Sequence, residues 1–146
     1  MTVDARRALT LTRTIAADPE AVFDAWTRPD LMARWSCPDP RAELEIDVDL
    51  RVGGAYRIRM AMDEGTWTAL GTYREVERPR RLVYTWDWEE GDHRMDADTV
   101  VTVEFVAVDE GTRVTLTHAG FPAAEATDGH HEGWTACLDH LERMFA

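Results

Sequence analysis

Polar and apolar residues alternate along most of this chain, and helical spacing replaces the alternation in two regions. An alternation with a period of two predicts a half-buried strand at residues 9–15. Six further alternating segments follow, separated by turns that contain glycine, proline or aspartate. These segments lie at residues 43–48, 55–62, 66–76, 82–88, 99–108 and 112–118. The pattern therefore predicts a curved antiparallel sheet of about seven strands.

Helical spacing appears after the first strand and again at the C-terminus. Asp18 suits an N-cap and Pro19 the first position of a short helix, and Pro29 opens a second short helix. The last helix begins near Ala123 or near residues 127–128, and about 18 residues would span about 27 Å across the sheet. Its apolar stripe consists of Trp134, Cys137, Leu138, Leu141, Met144 and Phe145. The order of elements predicts a single α+β domain over residues 1–146.

One face of the predicted sheet is rich in aromatic side chains. Alternation places Tyr84 and Trp86 on the same face of their strand, and Trp134 opposes them from the last helix. Aromatic walls with few polar tips suit a flat apolar ligand, although the same rings could instead fill a solid core. The residues predicted to bind a ligand are Trp35, Tyr56, Ile58, Met60, Trp67, Tyr73, Tyr84, Trp86, Val101, Val103, His118, His130, Trp134 and Leu138.

The composition removes several kinds of catalytic chemistry. The chain has no lysine, asparagine or glutamine, and Ser36 is its only serine. A Schiff-base lysine, a P-loop with its lysine and a Gly-x-Ser-x-Gly nucleophile elbow are therefore excluded. The polar groups left for a pocket are those of Asp, Glu, Arg, His, Thr, Tyr, Trp, Cys, Ser36 and the backbone.

The net charge and the cysteines of the chain indicate its partners and its cellular compartment. A net charge of −12, from 16 arginines against 28 acidic residues, argues against nucleic acid and anionic membranes as partners. No apolar run approaches the roughly 20 residues that span a bilayer, and the N-terminus lacks the apolar core of a secretion signal. Cys37 and Cys137 are far apart in sequence and are interpreted as reduced thiols. These features predict a cytoplasmic protein, and no cofactor or metal site is predicted.

Histidines are the main candidates for polar chemistry. His118 ends the last strand on the aromatic face, where three roles are open: a buried residue bonded to backbone, a polar anchor for a ligand, or a general acid or base. His130 and His131 lie three or four residues before Trp134, so one of them shares its face. A metal held by these three histidines is disfavoured, because adjacent histidines point to different sides of a helix.

Four segments of the sequence resemble the START-like superfamily, and within it the branch named after the activator of the heat-shock-protein-90 ATPase. They read RTIAADPEAVFDAWT at 13–27, VDLRVGG at 48–54, LVYTW at 82–86 and VTLTHAGF at 114–121. Many relatives carry a second Trp directly after the first at the end of the second short helix. Here Trp35 is followed by Ser36, so the pocket is expected to be wider or more polar at that point.

The resemblance implies the helix-grip fold, in which a curved antiparallel sheet wraps around the C-terminal helix and two short helices close one end. Such proteins commonly hold an apolar cavity, so the implied function is binding or carriage of a hydrophobic small molecule such as a lipid, a polyketide or an aromatic compound. The alternative is a cyclase, dehydratase or hydrolase in which His118, one of the histidine pair, Tyr56 or Tyr84 transfers a proton. A chaperone cofactor is a lesser expectation, and a homodimer is a possible assembly.

Overall fold

Antiparallel pairing joins seven strands into one curved sheet in the computed structural model, which describes residues 7–146. Across the sheet the order is β1-β7-β6-β5-β4-β3-β2, so β1 and β7 are neighbours that lie far apart in sequence. The predicted strands are confirmed, with ends that agree within one residue. They are β1 (Ala8–Ile15), β2 (Glu43–Val48), β3 (Ala55–Met62), β4 (Gly65–Glu77), β5 (Arg81–Trp88), β6 (Thr99–Val108) and β7 (Gly111–Ala119). Residues 1–6, which belong to the predicted domain and to the N-terminus predicted to lack a secretion signal, lie outside the described residues.

Two short helices follow β1 as predicted: α1 (Pro19–Thr27) and α2 (Pro29–Met32). The N-cap role of Asp18 is confirmed, because its Oδ1 accepts a hydrogen bond from the amide of Ala21 at 2.9 Å. Each helix has a proline at its start, where the missing N–H leaves no hydrogen bond unmade.

The inner side of α1 closes one end of the concave face of the sheet. Phe23 and Trp26 are buried and meet the ring of Phe105 on β6 edge-on, with centroid distances of 5.4 and 5.7 Å. Trp35, just after α2, packs on Trp26 at 4.4 Å and donates its Nε1 hydrogen to a carbonyl of α1. The two short helices are thereby fixed to the sheet and to each other.

A 21-residue helix, α3 (Ala124–Met144), crosses the concave face. It begins at the earlier of the two predicted starts and is therefore about 32 Å long at 1.5 Å per residue, longer than predicted. Trp134, Leu138 and Leu141 are buried toward the sheet, as their spacing predicts. Within residues 7–146, no helix is both long and apolar enough to cross a membrane.

The ladder between β4 and β5 is irregular. Its register shifts between Tyr73 and Glu75, and such a bulge bends the strand that carries it. Gly71 precedes the shift and faces β5 so closely that a Cβ added to it would stand 2.0 Å from the carbonyl oxygen of Thr85. Glycine is therefore required for β4 to reach its position beside β5.

Candidate functional site

A cavity of about 580 Å³ lies between α3 and the region of the sheet formed by β3, β4 and β5. This volume falls within the range of pockets that hold drug-sized ligands. The segment after α2 and the β5–β6 loop (residues 89–98) complete the wall. The lining residues are Ser36, Pro38, Asp39, Met60, Met62, Glu64, Trp67, Trp86, Trp88, Asp92, His93, Met95, Ala126, Gly129, His130, Gly133, Trp134 and Cys137.

Indole rings make up much of this wall. Trp86 and Trp88 are two residues apart on β5, so both lie on the inner face, and their ring centroids are 5.4 Å apart. Trp67 of β4 meets Trp88 edge-on at 5.1 Å, and Trp134 of α3 meets Trp86 at 5.2 Å. The rings are held by one another, and the result is a preformed apolar surface suited to a flat ligand.

Contacts to β4 hold the β5–β6 loop beside the cavity. The ring of His93 stacks on Trp67, with centroids 3.3 Å apart. Glu90 accepts hydrogen bonds from the amide and the hydroxyl of Thr68 at 2.6 and 2.8 Å. Burial acts to raise the pKa of Glu90, but these hydrogen bonds outweigh it and leave the pKa below its ordinary value.

The β5–β6 loop and its flanks are rich in carboxylates, and these differ in their surroundings. Asp92 is exposed, but Asp87 at the start of the loop accepts a hydrogen bond from the amide of Met95 at 2.8 Å. Together with Glu90, Asp87 therefore determines the path of the loop, because both carboxylates satisfy backbone N–H groups.

His118 is completely buried behind the indoles, and side chains occupy both of its ring nitrogens. Trp134 Nε1 donates to His118 Nδ1 at 3.1 Å, so the neutral ring carries its hydrogen on Nε2 and donates it to Thr99 Oγ1 at 3.0 Å. The Thr99 hydroxyl in turn donates to the carbonyl of Trp86. Burial lowers the pKa of His118 well below its ordinary value. Of the three roles open from sequence, the buried one agrees best, with side chains in place of backbone as partners.

His130 is the member of the histidine pair that lines the cavity, whereas His131 is exposed. The His130 Nδ1 donates to the carbonyl of Ala126 at 2.8 Å, and the His130 Nε2 accepts from Trp88 Nε1 at 3.1 Å. Burial lowers the pKa of His130, so the neutral ring is favoured. Within residues 7–146, no three His, Cys, Asp or Glu side chains are grouped to hold a metal ion.

A much smaller space of about 20 Å³ lies deeper between the sheet and the short helices. Ser36, Trp86 and Trp134 line both this inner void and the main cavity, so they form the boundary between the two. A space of this size can hold about one water molecule. The other residues around it are Trp26, Met32, Trp35, Tyr56, Ile58, Tyr73 and Tyr84.

The three tyrosines of the inner void are buried, and two of them are hydrogen-bonded to the protein. Tyr56 Oη donates to the carbonyl of Thr85, and Tyr84 Oη accepts from Trp26 Nε1 at 3.2 Å. Burial raises the pKa of Tyr56, Tyr73 and Tyr84, so all three hydroxyls stay neutral.

Two buried polar atoms at the boundary between the cavity and the inner void have no hydrogen bond to the described part of the protein. Among residues 7–146, Ser36 Oγ and Trp86 Nε1 are the buried side-chain atoms that have no hydrogen-bond partner. Leaving such an atom unbonded costs about 1–3 kcal/mol. The expectation that Ser36 makes the pocket more polar at this point agrees with its position on the boundary.

The charged side chains around the cavity are all acidic. Asp39, Glu64 and Asp92 line it, and none of the described arginines does. Asp39 pairs with Arg41 at 3.3 Å, and hydrogen bonds from the amide and guanidinium of Arg41 lower the pKa of Asp39. Glu64 and Asp92 are exposed, so they mark the mouth and give it negative charge.

The structure divides the predicted binding residues into three groups. Five line the main cavity: Met60, Trp67, Trp86, His130 and Trp134. Five more surround the inner void, which Trp86 and Trp134 also border: Trp35, Tyr56, Ile58, Tyr73 and Tyr84. Four are buried but belong to neither lining: Val101, Val103, His118 and Leu138.

Sequence reasoning misses the loop and glycine positions of the lining. Asp92, His93 and Met95 have no periodicity that would assign them to an inner face. Gly129 and Gly133 carried a usable signal, because two glycines four residues apart on the helix face near Trp134 leave space beside that ring.

A curved seven-stranded antiparallel sheet around a long C-terminal helix, with two short helices after the first strand, defines the helix-grip class of START-like proteins. The chain belongs to the family described as Activator of Hsp90 ATPase homolog 1-like protein, whose model matches residues 16–146. The family resemblance drawn from the sequence is confirmed.

Solved structures share this architecture. A protein from Chromobacterium violaceum is similar with a TM-score of 0.86 over 95% of this chain and 96% of its own, and at 24% identity it supports the fold alone. An AHSA1 protein from Silicibacter pomeroyi is 28% identical, with a TM-score of 0.79 over 94% of this chain and 96% of its own. An AHSA1-like protein from Aeromonas hydrophila is 29% identical, with a TM-score of 0.74 over 93% and 90%. No curated protein matches the chain.

Proposed function

We propose that this protein binds or carries a hydrophobic small molecule in the cavity between the sheet and α3. The observation that carries the proposal is a preformed space of about 580 Å³ whose walls are largely indole and methionine side chains. Binding sites for small molecules combine such apolar walls with a few polar groups.

The glycines of α3 support the same proposal. A Cβ at Gly129 would meet nothing within 4 Å, and one at Gly133 would meet only Pro38 Cγ at 3.7 Å. Glycine in the interior of a helix costs about 1 kcal/mol relative to alanine. Helix α3 therefore carries glycine at two cavity-lining positions where packing does not require it, and a larger side chain at either position would reduce the space.

Proton-transfer chemistry has weaker support than binding. The catalytic hypothesis requires two of the groups named from sequence to meet a common ligand atom. Both nitrogens of His118 and of His130 are bonded to protein groups, and Tyr56 donates to a backbone carbonyl. Tyr84 belongs to the inner void, whereas His130 belongs to the main cavity.

Native mass spectrometry and thermal-shift screening against lipids and flat aromatic compounds test the proposal. We expect one-to-one complexes with aromatic compounds and a raised melting temperature. Gly133→Trp fills the cavity and abolishes both effects, whereas Glu132→Trp, at an exposed position on the same helix, preserves them. The proposal fails if no compound binds, or if Gly133→Trp binds as well as the natural sequence.

We further propose that the protein works in the cytoplasm, without nucleic acid or membrane partners. Cys37 and Cys137 are both buried and both free thiols, which is typical of a reducing compartment. The net charge of −12 repels nucleic acid and anionic lipid. Fractionation of the source cells followed by detection of the chain tests the location.

A further inference from the structure

Two buried polar atoms and the charge of the mouth narrow the class of ligand. Ser36 Oγ and Trp86 Nε1 have no hydrogen-bond partner within residues 7–146, and both residues stand on the boundary between the cavity and the inner void. Trp86 as a whole is only 7% exposed. Its N–H can only donate, and the serine hydroxyl can both donate and accept.

The indole of Trp134, the third boundary residue, already donates to His118, so it has no hydrogen left for a ligand. The Tyr84 hydroxyl of the inner void accepts from Trp26 and keeps its own hydrogen. Among the three boundary residues, the donors left unbonded by the described part of the chain are therefore those of Ser36 and Trp86. One oxygen atom of a carbonyl, ether or hydroxyl group matches them, because a single oxygen can accept two hydrogen bonds.

The acidic residues that line the cavity disfavour a negatively charged ligand. Asp39, Glu64 and Asp92 are the charged residues of the lining, and none of the described arginines joins them. His130 Nε2 accepts a hydrogen bond from Trp88 Nε1, which a protonated ring could not do, so His130 brings no positive charge to the cavity. A carboxylate or phosphate would enter past like charges and find no cation inside, and in an apolar site such a mismatch is costly.

We propose that the natural ligand is a flat, largely apolar molecule without net negative charge, whose inner end carries an oxygen acceptor that bonds to Trp86 Nε1 and Ser36 Oγ. This inference rests on the proposed function and goes beyond it by naming the ligand class. It separates neutral aromatic ketones, ethers and phenols from fatty acids and other anions. The acceptor supplies the hydrogen bonds that these two atoms do not receive from the described protein groups.

Equilibrium dialysis with three compounds of one shape tests the inference. The compounds are 9-fluorenone, which has the oxygen, fluorene, which lacks it, and 9-fluorenone-2-carboxylate, which adds a negative charge. The variants are Ser36→Ala and Trp86→Phe, which remove the two unbonded groups. Trp67→Phe is the matched control, because it makes the same substitution on the cavity wall at a ring outside the boundary. Circular dichroism establishes that each variant is folded.

We expect the affinity ratio of fluorenone to fluorene to fall about fivefold in Ser36→Ala and in Trp86→Phe, and to stay unchanged in Trp67→Phe. Comparing the ratio between variants cancels the different hydration of the two compounds. The carboxylate is expected to bind at least about tenfold more weakly than fluorenone at low salt, with the difference narrowing as salt is added.

The two proposals fail in different ways. If binding disappears in Gly133→Trp but the ratio is the same in all folded variants, the cavity binds ligands and the acceptor site is overturned. A carboxylate that binds as tightly as fluorenone also overturns the inference. If none of the three compounds binds, or if their binding persists in Gly133→Trp, then both the inference and cavity binding by this class are refuted.

Discussion

Each of the two histidines near the cavity is held in one tautomer by an indole N–H. Trp134 donates to Nδ1 of His118, and Trp88 donates to Nε2 of His130. Protonation would put a second N–H against each indole N–H, and burial would oppose the new charge as well. The neutral histidine is thus part of the bonding that orients the tryptophans of the wall.

This bonding predicts that the protein loses stability in mild acid. An unfolded histidine takes up its proton near pH 6.5, whereas burial lowers the folded pKa of His118 and His130. Below about pH 6.5 the unfolded chain then binds more protons, and the free energy of unfolding falls by up to about 1.4 kcal/mol per pH unit for each histidine. Carboxylates have lower reference pKa values and add to this slope chiefly as the pH approaches 5. Urea unfolding at pH 7, 6 and 5 measures the slope.

Histidine variants show which side chain causes the fall in the free energy of unfolding with pH. His118→Gln is expected to flatten it by up to about 1.4 kcal/mol per pH unit, since glutamine does not titrate. His131→Gln, at an exposed position on α3, should leave the His118 contribution intact. An unchanged slope in His118→Gln would contradict the proposed bonding.

At the scale of elements, glycine has opposite roles in α3 and in β4. Gly71 allows β4 to lie against β5, where a Cβ would overlap the carbonyl of Thr85. Gly129 lies in a helix where a Cβ would meet nothing within 4 Å. One glycine is therefore needed for strand pairing, and the other weakens its helix beside the cavity.

The same substitution is accordingly expected to change stability in opposite directions. Gly129→Ala should raise the free energy of unfolding by up to about 1 kcal/mol, because alanine is the better helix former. Gly71→Ala should lower it by about 1–3 kcal/mol or more, because the strands must separate to admit the methyl group. Denaturant unfolding of both variants beside Gly91→Ala, whose Cβ also meets nothing within 4 Å, checks the prediction. A loss of stability in Gly129→Ala would contradict it.

The elements could be predicted from sequence because their signals are local. Alternation gave the strands, and Asp18 with Pro19 gave the start of α1, as its hydrogen bond to Ala21 confirms. The start of α3 was ambiguous, because the cap residue Ala123 makes no side-chain hydrogen bond. The family resemblance supplied the way in which sheet and helix meet.

The candidate site was only partly predictable, because its shape depends on contacts between distant segments. Alternation places Trp86 on the inner face, but only the packed structure shows that its Nε1 has no partner within the described part of the chain. His118 shares that face, yet Trp134 and Thr99 occupy both of its nitrogens. His93 enters the lining through its stack on Trp67, which no periodicity could have indicated.

At the scale of the whole molecule, acidic side chains lie along one edge strand of the open sheet. The sheet ends at β1 and β2, and an unpaired edge can recruit another chain. Along β2, the exposed residues Glu43, Glu45 and Asp47 alternate with half-buried apolar ones. Charged side chains on an edge oppose pairing with a second copy, and a net charge of −12 adds a general repulsion.

The homodimer expected from sequence should therefore depend on salt. Raising NaCl from about 0.02 M to about 0.5 M shortens the range of repulsion from about 20 Å to about 4 Å and should shift the equilibrium toward the dimer. Replacing Glu45 and Asp47 together by valine removes two negative charges from the β2 edge. This variant should therefore associate more strongly at low salt. Light scattering during size-exclusion chromatography gives the molar mass to compare with 16.6 kDa for one chain. A mass of one chain for the natural sequence at both salt concentrations would refute the homodimer, and a double variant that stays monomeric would refute the protective role of the acidic edge.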